Sequence, residues 1–130
     1  WGAENIEMSV RVWRCGGSIF LFPCSRIGHW YREAAFQPYS VDLKQVAINK
    51  KRVALAWLDE HVHKFYRVYQ DDAAWPADID VRSLDAGSIE DRLALKGRLQ
   101  CKSMDWYVDN VYPELRTQPL QLTFENDRRK

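Results

Sequence analysis

Apolar side chains recur at helical spacing over residues 3 to 15, where Ile6, Val10 and Trp13 stand at i, i+4 and i+7 and predict a helix with one core-facing stripe. Gly16-Gly17 supplies the stop expected after its last turn. Ser18-Ile19-Phe20-Leu21-Phe22 is short, continuously apolar and closed by Pro23, the pattern of a buried strand. From Pro23 to Lys44 no period persists, and a loop of about twenty residues commonly serves as a binding segment or lid. Residues 47 to 69 place Val53, Trp57, Leu58, Val62, Phe65, Tyr66 and Tyr69 at spacings of three and four. They predict one long packing helix with Lys50, Lys51, Arg52, Asp59, Glu60 and Lys64 mostly outward.

A connector, 70 to 87, holds Pro76 and Gly87. Ser88 with Asp91 resembles a helix-starting pair, and Ile89, Leu93 and Leu99 continue a helical face. Ser103 predicts the cap of another short helix through Trp106, Tyr107 and Val111, ended by Pro113. From about Arg116 the composition turns polar, so 116–130 reads as a linker or severed edge. Helix, Gly-Gly turn and strand in succession form the tail end of an α/β unit, here helix-rich with few strands.

Composition narrows the classes. The 130 residues are 46% hydrophobic and 28% charged, the balance of one globular unit or a piece of one and not of a disordered tail. No apolar run reaches the roughly 18 residues of a membrane helix, and the start shows no charged-then-apolar leader, so the expectation is a stretch with neither span nor address. A net charge of +1 with both signs interspersed offers no basic stripe for nucleic acid. Six Trp, six Tyr and five Phe provide core volume or platforms for sugars and bases, without choosing between them.

Cys15, Cys24 and Cys101 contain no Cys-x-x-Cys pair, which argues against a structural zinc or thioredoxin-type site. An odd count leaves free buried thiols, or one bridge with a third cysteine whose partner lies elsewhere; three scattered cysteines favour the first on composition alone.

His29, in the long loop, can ligate a metal or exchange a proton near neutral pH. Arg32, three residues on, carries a guanidinium fork suited to a diphosphate. Glu4 and Asn5 at a helix start can bond sugar hydroxyls, or merely satisfy the free N–H groups of that start. His61 and His63, two apart on a helix, face different ways and cannot chelate together.

The strings Trp1-Gly2-Ala3-Glu4-Asn5-Ile6-Glu7, Arg11-Val12-Trp13-Arg14-Cys15-Gly16-Gly17 and Pro23-Cys24-Ser25-Arg26-Ile27-Gly28-His29 resemble one family. Ala56-Trp57-Leu58-Asp59-Glu60, then Leu99-Gln100-Cys101-Lys102-Ser103 and on through Trp106-Tyr107 to Leu115, continue the likeness in order. The chain resembles the polypeptide N-acetylgalactosaminyltransferases, which start mucin-type O-glycosylation. The resemblance implies the C-terminal part of a GT-A catalytic domain over 1–115, with 116–130 a linker towards a lectin domain absent from this chain. It implies a retaining transfer of GalNAc from UDP-GalNAc to Ser or Thr hydroxyls with Mn²⁺ as cofactor. The parent would be membrane-anchored on the lumenal side of the Golgi, this fragment alone being inactive.

Residue by residue, the resemblance makes His29 the third metal ligand, the first two forming an Asp-x-His triplet upstream of Trp1. Glu4 and Asn5 match sugar contacts, Arg32 the arginine on the diphosphate, and Trp1 a tryptophan that moves with the covering loop. Tyr31 matches a position facing the acceptor, and Pro38-Tyr39 the pair whose Tyr closes over the donor. Glu4, Asn5 and Arg32 are the residues implied to carry catalysis. The resemblance also pairs Cys15 with Cys101, gives Cys24 a partner outside the chain, and thereby reverses the preference for free thiols.

Two departures stand out. Ala3 replaces the family's Gly, and Glu33-Ala34-Ala35-Phe36-Gln37 is a longer stretch without the family's His and Lys. They motivate one rival, a non-catalytic homologue that binds or regulates. A second rival, a β-1,4-galactosyltransferase, is disfavoured by Asn5, by the Cys15 and Cys24 framework and by the Trp106 to Leu115 segment.

Overall fold

The computed structural model describes residues 2–28, 42–71 and 75–117. Among the described residues lie five helices, α1 (Glu4–Arg14), α2 (Leu43–Trp57), α3 (Val62–Asp71), α4 (Glu90–Arg98) and α5 (Met104–Asn110), with 3-10 turns at Asp59–His61 and Pro113–Arg116. The helix-rich expectation holds. Among the described residues there is no strand, and Ser18–Phe22 runs without a pairing partner. A strand exists only as half of a ladder. Apolar content alone therefore mispredicted this segment, whose Leu21 is 91% exposed.

α1 forms where predicted, with Glu4 and Glu7 in its first turn and Arg11 and Arg14 in its last, each sign complementing the helix dipole. Its end is a Schellman closure. Gly17 N–H donates to the Val12 carbonyl (2.8 Å) and Gly16 N–H to that of Trp13 (3.4 Å), with Gly16 at φ 87°. The stripe is offset from the predicted one, because Val10 and Arg14 are buried whereas Ile6 is 60% exposed.

The single long helix expected over 47–69 is two. α2 starts earlier, on Asp42, whose carboxylate accepts the Lys44 N–H (2.9 Å), and it stops at Trp57. Asp59 then takes a φ of 50° and the chain restarts as α3. The break is made by distant partners. The Asp59 carboxylate accepts from the Arg14 guanidinium (2.7 Å), from Lys96 Nζ and from the Met104 N–H (2.7 Å), which no helical Asp could reach together. Lys51, expected outward, is buried and donates to the carbonyls of Arg82 (2.8 Å) and Leu84 (2.7 Å). Both misplacements come from long-range polar bonds that outweigh the surface preference of a charge.

Two cores result. Val10, Ala56, Trp57, Met104 and Tyr107 join α1, α2 and α5; Ala47, Tyr69 and Val81, with Phe65 and Trp75 against them, tie α2 to α3 and the connector. Ser103 caps α5 as expected, its Oγ accepting the Trp106 N–H (3.1 Å). Ser88 accepts the Glu90 N–H (3.2 Å), yet α4 buries no residue, so the predicted face of Leu93 and Leu99 is exposed. Cys15 and Cys101 form a disulfide and Cys24 is a free, exposed thiol. Free buried thiols, the reading from composition, are thus overturned, and the pairing implied by the resemblance is present. No helix among the described residues is long and apolar enough to cross a membrane.

Candidate functional site

The first turn of α1 carries the candidate sugar contacts. Gly2, at φ 144°, rests on α2: a Cβ there would lie 2.4 Å from Asn49 Cβ, so only glycine allows this approach. Ala3 follows at φ 70°, ψ 21°, a left-handed conformation in an L-residue, and caps the helix without a side-chain bond. Glu4 accepts the Gly2 N–H through Oε2 (2.9 Å). Backbone hydrogen bonds hold its carboxyl below the ordinary range, its own N–H first and Gly2 also, against a smaller opposing effect of burial. Glu4 is therefore an ionised acceptor at neutral pH. Its bond to Gly2 is the helix-start role foreseen as the bland alternative. Asn5 is exposed, and its side chain makes no hydrogen bond among the described residues.

A cavity of about 460 Å³ opens beside this turn, lined by Glu4, Glu7, Arg11, Arg52, Trp57 and Arg92 among others from α1, α2 and α4. Its polar wall is internally paired in part: Arg11 bonds both Glu7 oxygens (2.9 and 3.2 Å), and Arg52 donates to the Ala86 carbonyl. Glu7 also accepts the Trp57 indole N–H (3.1 Å). Glu7 carries no role predictable from its sequence neighbours, although its position three after Glu4 puts both on one helix face.

Trp1, His29, Tyr31, Arg32 and Tyr39 lie outside the described residues. Of the sequence-derived set, Glu4 and Asn5 share a turn, and Cys15 meets Cys101 at the far end of the same helix.

The order Asp-x-His, which the resemblance places before Trp1, also occurs at Asp59-Glu60-His61. It does not act as a triplet here, because the Asp59 carboxylate is engaged by Arg14, Lys96 and Met104. Glu60, His61 and Asp105 instead bring three ligand-type atoms within 4.8 Å of one another. The His61 imidazole is already bonded to Asp105 (2.9 Å), and that bond first of all lowers the Asp105 pKa. His63 turns elsewhere, to the Glu60 carbonyl (2.8 Å), as the two-residue spacing predicts.

No protein-family model matches the chain. It is 43% identical over 117 residues to the probable polypeptide N-acetylgalactosaminyltransferase 8 of Homo sapiens, covering 89% of this chain and 17% of the relative. It is 41% identical, again over 117 residues, to polypeptide N-acetylgalactosaminyltransferase 11 of Xenopus tropicalis, covering 88% and 18%. Among solved structures it is similar to GalNAc-T7 crystallised with UDP, GalNAc and Mn²⁺, at a TM-score of 0.68 and 30% identity over 91% of this chain and 20% of that one. The chain thus spans about a fifth or less of the length of the proteins it matches. As one such segment, it belongs to the polypeptide N-acetylgalactosaminyltransferase family.

Proposed function

We propose that the chain is the C-terminal part of the catalytic domain of a retaining transferase that moves GalNAc from UDP-GalNAc to Ser or Thr hydroxyls of polypeptides, with 116–130 leading towards a lectin domain. The observation that carries this reading is identity near 40% across nine-tenths of the chain with transferases of that name. The UDP, GalNAc and Mn²⁺ held by the GalNAc-T7 neighbour support the donor and the cofactor. The Cys15–Cys101 bridge suits an oxidising lumen and supports Golgi residence of a membrane-anchored parent.

Glu4, ionised, would accept from sugar hydroxyls, and the Asn5 amide would both donate and accept. Glu4 lines the cavity and Asn5 is exposed next to it on the same turn, which supports that use. Arg32 would offset the charge left on the diphosphate, Trp1 and Tyr39 would cover the donor and exclude water, and Tyr31 would face the acceptor peptide. Bound Mn²⁺ supplies Lewis-acid stabilisation of the departing diphosphate. By the family resemblance His29 is the ligand this chain would contribute, while Asp59 is engaged elsewhere and His61 is paired to Asp105. A lone imidazole suits Mn²⁺ only beside oxygen donors, which the upstream triplet would provide.

The test is a transfer assay with UDP-GalNAc, Mn²⁺ and a Thr-containing peptide, on the whole protein and on its His29→Ala variant. Transfer by the first and loss by orders of magnitude in a folded variant are expected. A second reading, a non-catalytic homologue, is favoured by the left-handed Ala3 beside the sugar contacts. A folded whole protein inactive on a broad peptide set would establish it.

A further inference from the structure

We propose that Glu7 is a positioning residue: through Trp57 it sets the rotation of α1, and with it the aim of Glu4 and Asn5. The inference rests on the reading of Glu4 and Asn5 as sugar contacts. Trp57 is 1% exposed at the end of α2 and is held at both of its polar ends by one helix. Its indole N–H donates to Glu7 Oε1 (3.1 Å), and its carbonyl accepts from Arg14 Nη1, with the Arg14 guanidinium 5.5 Å from the ring centroid. Glu7 and Arg14 stand at i and i+7, two turns apart on one face. Two anchors at that separation on a single immobile residue fix both the slide and the spin of α1.

The first turn needs such an external reference. Ala3 gives it no side-chain cap, and Glu4 and Asn5 are exposed. Arg11 completes the device by bonding both Glu7 oxygens and so orienting the carboxylate towards the indole. The lever is steep. With side-chain heads about 5 to 6 Å from a helix axis, a spin of about 10° moves them by about 1 Å. A misplacement of about 1 Å can cost roughly a hundredfold in rate.

The experiment uses the whole protein and measures transfer kinetics and thermal stability for E7L, E7Q, W57F, the E7L/W57F double variant and E4A. E7L and W57F are expected to lose roughly tenfold to a hundredfold in kcat, with KM for the acceptor peptide within about twofold. E7Q keeps an oxygen for the indole and should retain activity within about threefold, and the double variant should fall no further than either single. Rescue by E7Q and a loss confined to kcat are results that general loosening of the fold would not give. Should E7L fail to fold, W57F, which keeps an aromatic ring in the core but lacks the indole N–H, carries the same comparison. Folded E7L or W57F at full rate, with E4A impaired, overturns the inference alone. E4A at full rate, or a whole protein that transfers nothing, overturns the site reading and the inference with it.

Discussion

Arg14 and Lys102 grip each other twice across the disulfide: Arg14 Nε donates to the Lys102 carbonyl (2.6 Å) and the Lys102 N–H donates to the Arg14 carbonyl (2.7 Å). The residue before Cys15 and the residue after Cys101, as well as the sulfurs, thus bind these two segments. A crosslink across 86 residues constrains the unfolded chain by about 4 to 5 kcal/mol on chain-entropy grounds. C15S/C101S is expected to lose stability of that order while keeping its helical circular dichroism, because the Arg14–Lys102 bonds remain. Chemical denaturation of the oxidised protein and the double variant checks both parts.

Asp59 is the acceptor on which three elements converge. Its removal leaves the Arg14 guanidinium, 1% exposed, without its carboxylate. Breaking one side of such a pair costs about 3 to 5 kcal/mol. Asp59→Ala should show that loss in urea unfolding, and Asp59→Asn a smaller one, because the amide oxygen still accepts from Met104. Equal stability of Asp59→Ala and wild type would remove the hub from the account.

The same residue gives an acid dependence. Burial pushes the Asp59 carboxyl up, but the Lys96 and Met104 hydrogen bonds and the Arg14 charge together bring it net below its ordinary value. A depressed folded pKa contributes stability that is full above the unfolded value, near 3.9, and is lost as pH falls through the lower folded value. Unfolding free energy measured from neutral pH downward should therefore fall below about pH 4, and Asp59→Asn should flatten that slope.

Ala3 sits at φ 70°, where glycine is at home. Ala3→Gly relieves the left-handed strain and returns part of the gain as unfolded-chain entropy, so a net stabilisation of up to about 1 kcal/mol is expected. Gly2→Ala goes the other way, since its methyl would meet Asn49. A thermal melt of each variant separates the two signs.

Local chemistry was legible where it decides structure. The Gly16-Gly17 stop, the Ser103 cap and the limits of α1 follow from adjacent residues, and the structure has them. What pattern could not convey is which charges turn inward. Arg14, Lys51 and Asp59 look like solvated positions until partners more than thirty residues away are in place. The interruption between α2 and α3 is invisible in the apolar spacing for the same reason. At the site, Glu4 was legible as a helix-start residue, the Cys15–Cys101 pairing followed only from the family likeness, and Glu7 was hidden because its partner, Trp57, belongs to another helix.

The span of the bridge also sets a schedule for synthesis. At about 5 to 20 residues per second, Cys101 emerges roughly 4 to 17 s after Cys15, whereas Cys24 follows almost at once. For that interval the nascent chain presents Cys15 and Cys24 together, joined by the apolar Phe20-Leu21-Phe22, before Cys101, the partner Cys15 takes in the fold, has been made. A Cys15–Cys24 crosslink is the wrong pairing open to the chain in that interval, and thiol–disulfide exchange with Cys101 is the chemistry that would resolve it.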